Sequence, residues 1–141
     1  MKEGGLVALF QWDESFSVGV RQFDAQHQKL VDMLNSLHDA SQEGRSREVL
    51  GRIFHDLIEY TVTHFQAEER LMAASGFPGY AEHRMEHERL TARAVQLQEE
   101  FRKGKINVDL DVLNFLVAWL GGHIKGTDRE YGPYLNDRGI T

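Results

Sequence analysis

Five of the seven histidines in this chain, His27, His64, His83, His87 and His123, stand where a helical pattern asks for apolar residues, and so do Glu68 and Asp128. In the stretch THFQAEERLM, His64 and Glu68 are one helical turn apart on a single face. His83 and His87 repeat that spacing with two imidazoles, which is chelating geometry for one ion. Imidazole nitrogen combined with carboxylate oxygen and no sulfur suits iron, zinc or manganese. The chain contains no cysteine, so thiolate metal sites, disulfides and thiol nucleophiles are excluded. Each signal alone has an ordinary explanation: an i,i+4 His–Glu pair is usually a solvated pairing, and a single core histidine is usually satisfied by a neighbour. What argues for a metal is their coincidence in phase and level, because an unpaired buried cluster would carry a heavy desolvation cost that coordination offsets.

Four helices must bring these groups together. Punctuation and period place an irregular arm over 1–18 and helices over 20–43, 47–75, 80–103 and 110–126, with Ser46 and Asp109 as N-caps. Short connections imply antiparallel neighbours, hence one all-α domain over 1–141, an up-down-up-down four-helix bundle. The aromatics Phe10, Trp12 and Phe16 fit an arm packed against it. In such a bundle the seven groups fall at the same end, within roughly 5–16 Å of it. Asp128 joins them if the last helix breaks after His123, which Gly126 makes easy. His55 faces outward, and His38 lies roughly 16 Å further down the axis, so neither belongs to the cluster. Glu69, about 100 degrees round from Glu68, points to solvent or a helix edge and is expected to be replaceable at little cost.

The formal charge of −6 and pI near 5.6 count against nucleic-acid binding and anionic membranes, both of which need a basic face. The opening apolar run, Leu6 to Phe10, is too short for a membrane span, so a cytoplasmic protein is expected. Seven ligands exceed the needs of one ion. Two six-coordinate ions offer twelve positions. Five imidazoles, two bridging carboxylates and one shared oxo or hydroxo group fill eleven, leaving one vacancy on one ion.

The motifs FDAQH (23–27), HFQAEE (64–69), HRMEH (83–87) and WLGGHIKGTD (119–128), with Phe10-x-Trp12 ahead of them, closely resemble the single-domain bacterial hemerythrins over nearly the whole chain. The resemblance implies two non-heme iron ions with an oxo or hydroxo bridge. One would be held by His83, His87 and His123 and the other by His27 and His64, with Glu68 and Asp128 bridging. It further implies an apolar oxygen pocket of Leu30, Phe65, Trp119, Leu120 and Ile124. The implied function is reversible dioxygen binding for storage, delivery or sensing, with small anions such as azide as competing ligands. The alternative is redox chemistry on nitric oxide or peroxide at the same centre; a purely structural metal would explain neither vacancy nor apolar lining. One departure is Gly121-Gly122 just before His123, where each glycine weakens a helix by about 1 kcal/mol.

Overall fold

The computed structural model describes residues 9–141; the first part of the expected arm, residues 1–8, lies outside them. Four long helices form: α1 (Arg21–Gln42), α2 (Arg47–Ser75), α3 (Tyr80–Arg102) and α4 (Leu110–Lys125). No strand occurs among the described residues. α1 packs on α2 and α4, and α2 on α3, which gives the antiparallel all-α four-helix bundle. Ser46 and Asp109 accept from the backbone N–H of Val49 and Val112, satisfying donors that the first turns of α2 and α4 would otherwise leave free.

Away from the polar cluster the core is aliphatic and aromatic: Leu34, Leu37, Phe54, Leu57 and Leu113 are fully or almost fully buried. The inward stripe of α2 runs through Phe54, whereas Ile53, one residue earlier, is only half-buried. The arm does dock on the bundle. Phe10 and Phe16 are buried, Trp12 stacks on Phe16 at 5.5 Å, and Asn35 of α1 holds both the N–H and the carbonyl of Phe10. The ring of Phe10 lies over Gly121, where a Cβ would come within 3.3 Å of it. α4 therefore continues unbroken through Gly121-Gly122, one glycine making room for the arm.

The end of α4 matters most for the site. The helix stops at Lys125, and Gly126 turns away at φ −92, ψ −84. A Cβ there would sit 2.9 Å from the carbonyl oxygen of Gly122, a contact no other residue could make without displacement. A 3-10 turn, Asp128–Glu130, and a short helix α5 (Tyr131–Asp137) follow, beyond the last helix expected from the sequence. Pro133 falls in the first turn of α5, where its missing N–H is not needed, and Tyr131 and Leu135 are buried on one face.

Candidate metal centre

The bundle delivers all seven sequence-identified residues to one place. α1 supplies His27, α2 His64 and Glu68, α3 His83 and His87, α4 His123, and the 3-10 turn Asp128. None is more than 5% exposed, and His27, Glu68 and Asp128 are at 0%. Their inner ring nitrogens converge on the two carboxylates. His27 Nε2 lies 3.2 Å from Glu68 Oε2 and 3.0 Å from Asp128 Oδ2, and His64 Nε2 lies 3.3 Å from Glu68 Oε2. On the other side His87 Nε2 is 3.2 Å from Glu68 Oε1, while His83 and His123 Nε2 are 2.8 and 2.9 Å from Asp128 Oδ1. Breaking α4 at Gly126 is what allows Asp128 to reach inward.

The donors sort into two groups, in each of which the ligand atoms lie within 4.8 Å of one another: Glu68, His83, His87, His123 and Asp128, and His27, His64, Glu68 and Asp128. Both carboxylates belong to both groups. The side chains cannot satisfy one another unaided. His87 Nε2 and His123 Nε2 face each other at 3.1 Å, although one proton at most can lie between them. His64 Nε2, Glu68 Oε1 and Asp128 Oδ2 are buried without a well-angled hydrogen bond. Buried polar atoms left in that condition are costly, and a cation resolves all of these conflicts together. The donor set, nitrogen and carboxylate oxygen only, fits a pair of iron ions.

A ring of outer partners escaped the sequence reading. His64 Nδ1 donates to Gln26 Oε1 at 2.5 Å, and His87 Nδ1 donates to Glu69 Oε2 at 2.7 Å. His123 Nδ1 donates to Glu86, which also accepts from Thr127 at 2.7 Å. Each outer bond fixes the ring so that its other nitrogen points inward. Glu69 is thus no replaceable surface residue; the expectation that its loss would be mild is corrected. The partners obey a simple rule. Gln26 on α1 holds a histidine of α2, Glu69 on α2 one of α3, and Glu86 on α3 one of α4. Each stands next in sequence to a cluster residue, and 100 degrees of helical rotation carries it to the helix edge facing the next helix. Tyr131 completes the set, its hydroxyl donating to Glu68 Oε2 at 2.5 Å.

Electrostatics follow from this crowding. Burial alone would lower His27 and His123, but the carboxylates beside them dominate and raise them to about 9 and about 10. Burial opposes ionisation of Glu68 and Asp128, yet the imidazoles around them hold both well below the carboxylate range. The His123 ring holds Glu86 at about 2. Burial and the neighbouring carboxylates push the Tyr131 phenol well up, so it stays a neutral donor.

The five residues expected around the site, Leu30, Phe65, Trp119, Leu120 and Ile124, are all buried. Phe65 lies flat on His87 at 3.8 Å and meets His123 edge-on at 5.5 Å. Trp119 donates its indole N–H to the Leu90 carbonyl at 3.1 Å. His55 is exposed, pairing with Glu59, and His38, though buried, is outside both donor groups.

Comparison with known proteins bears on what such a site holds. A family model described as the hemerythrin HHE cation binding domain matches residues 18–135. The bacteriohemerythrin of Methylococcus capsulatus is 37% identical over 92% of this chain and 99% of its own length. That of Stenotrophomonas maltophilia is 33% identical over 92% of this chain and 83% of its own. The crystal structure of a wild-type hemerythrin superposes with a TM-score of 0.84 at 37% identity, covering 89% of this chain and 97% of that one.

Proposed function

We propose, from the premise that this chain belongs to the hemerythrin family, that it binds dioxygen reversibly at a non-heme di-iron centre, serving oxygen storage, delivery or sensing and not catalysis. The observation that carries this reading is the pair of donor groups sharing two fully buried carboxylates, one group with three histidines and the other with two. In this reading His83, His87 and His123 would hold one iron and His27 and His64 the other, with Glu68 and Asp128 shared between the two. When bound, the iron pair supplies the two electrons that dioxygen accepts and gives back.

The chain's own residues do the rest. Gln26, Glu69 and Glu86 fix three of the rings, and Tyr131 fixes Glu68 while keeping its own proton. The two-histidine group is one donor short, so a small ligand belongs there. Leu30, Phe65, Trp119, Leu120 and Ile124 would exclude water beside it. The polar atom of Trp119 is occupied by the Leu90 carbonyl, so this lining brings no free proton donor. Excluding water and protons favours release of the gas unchanged.

No helix among the described residues is long and apolar enough to cross a membrane. A single working domain and a cytoplasmic location, as expected from the sequence, remain part of this proposal, to be checked by fractionating cells of the native source. The central test is a visible spectrum of iron-loaded protein cycled through reduction, air and oxygen removal. A coloured form that fades and returns is expected; bleaching straight to a stable oxidised product would sink the oxygen-carrier reading. Azide and other small anions should compete for a single position on the oxidised centre, and two anions bound per chain would disprove the one-vacancy count.

A further inference from the structure

Among the described residues, two surface cavities border the candidate ligands. One, between α2 and α3, has the apolar floor of Phe65 and reaches His87, whose ring is held from outside by Glu69. The other, of about 450 Å³, opens at the start of α3 and is lined by Glu82, Glu86, Glu130, Arg89, Thr127 and His83. Glu82 and Glu130 are exposed at its mouth, and Glu86 lies half-buried deeper in. Three carboxylates against one guanidinium make the lining acidic, and the His123 ring and the Thr127 hydroxyl fix Glu86 in place.

His83 forms the floor of this second cavity, and its outer nitrogen is the distinguishing feature. The residue is 2% exposed, yet Nδ1 has no hydrogen-bond partner, while Nε2 meets Asp128 Oδ1 at 2.8 Å. Turning the ring of His64, His87 or His123 would break an outer bond as well as an inner one. Turning His83 breaks one hydrogen bond, to Asp128, and shifts its ring packing against Tyr131, His87 and His123. His27 also lacks an outer partner, but it is 0% exposed.

We propose that this acidic cavity is the entry site for divalent iron, and that His83 is the ring that swings aside to pass the ion inward. The proposal rests on the di-iron reading above. Glu82 and Glu130 gather the hydrated cation, Glu86 and Thr127 replace part of its water, and His83 closes behind it as a ligand. A cavity lined by one sign of charge raises the local concentration of counter-ions and speeds their capture, an effect that salt screens.

The test follows uptake by iron-free protein given ferrous salt without oxygen, by stopped-flow absorbance and final iron per chain. The variant Glu82→Gln/Glu130→Gln is compared with Asp56→Asn/Glu59→Gln, which removes the same charge from exposed positions elsewhere on α2. The mouth variant is expected to load about tenfold more slowly but to reach the same iron content and spectrum, with the gap closing in high salt. The control should load like the unaltered protein. Equal rates for the two variants would overturn the entry site while leaving the di-iron centre intact. Unaltered protein that takes up fewer than two irons per chain would overturn the di-iron reading, and the entry site with it.

Discussion

Glu68 and Glu69 are adjacent, and the structure gives them different tasks on the same centre. Glu68→Ala removes one of the two carboxylates shared by both donor groups and leaves five imidazoles and Asp128 around an under-neutralised charge. Iron content and the oxygenated spectrum should fall to a small remainder. Glu69→Ala leaves the ligands in place but frees the His87 ring, and loss of such an outer partner typically costs about 10–100-fold in metal affinity. Glu69→Gln, which still accepts from Nδ1, should recover most of that. Competition with a chelator across the three variants measures it, and unaltered affinity in Glu69→Ala would return that residue to the surface. The same crowding sets a pH dependence for iron-free protein. His27 and His123 are raised from 6.5 to about 9 and about 10, so their contribution is complete below about 6.5 and lost as pH climbs through 9–10. Glu86, lowered from 4.5 to about 2, contributes above about 4.5 and loses that as the medium acidifies. Denaturant titrations of iron-free protein at about pH 6, 8 and 10 should show falling stability. Iron-loaded protein should resist that decline, because the metal takes the place of the protons.

At the scale of elements, the break after α4 is the device that makes the second bridging carboxylate available. Gly126→Ala places a methyl group against the Gly122 carbonyl at 2.9 Å. Relieving that contact shifts the turn carrying Asp128, so iron occupancy should drop and stability should fall by about 1–3 kcal/mol. Occupancy and melting temperature equal to the unaltered protein would show that Asp128 does not depend on this turn. These cases also show what could be read in advance. The four long helices were legible because their apolar stripes persist for many turns, and the seven core groups because they interrupt those stripes in phase. Gln26, Glu69 and Glu86 were not, since a polar residue at a helix edge looks the same whether it faces water or a neighbouring imidazole. α5 was hidden because seven residues are too few to display a period, and Gly132-Pro133 reads as a breaker. Ile53 and Phe54 both fit the stripe between Leu50 and Leu57, and only packing decides that Phe54 turns fully inward.

Across the whole molecule, the donor cluster lies toward one end of the bundle, flanked by the buried Phe23, Met72, Tyr131 and Leu135, and apolar side chains pack the other end. The far end holds Leu34, Leu37, Phe54, Leu57 and Leu113, buried without any polar partner to satisfy. Removing iron should therefore lower the melting temperature while helical circular dichroism at 25 °C stays largely intact, metal binding being only part of the folding energy. Backbone amide exchange should quicken first near His83, His123 and Asp128 and last in the middle of α1 and α2. Uniform acceleration along the chain would mean that the two ends are not separable. A further consequence comes from Trp119, whose indole is held by the Leu90 carbonyl one turn before His123, about 6 Å along the axis. The chain's other tryptophan, Trp12, sits on the arm against Phe16. An iron pair absorbs across the near ultraviolet, and an indole one helical turn from one of its ligands would surrender its excitation to it. Filling the site should therefore dim the intrinsic fluorescence in proportion to occupancy, so that loading of unlabelled protein can be followed by its own light.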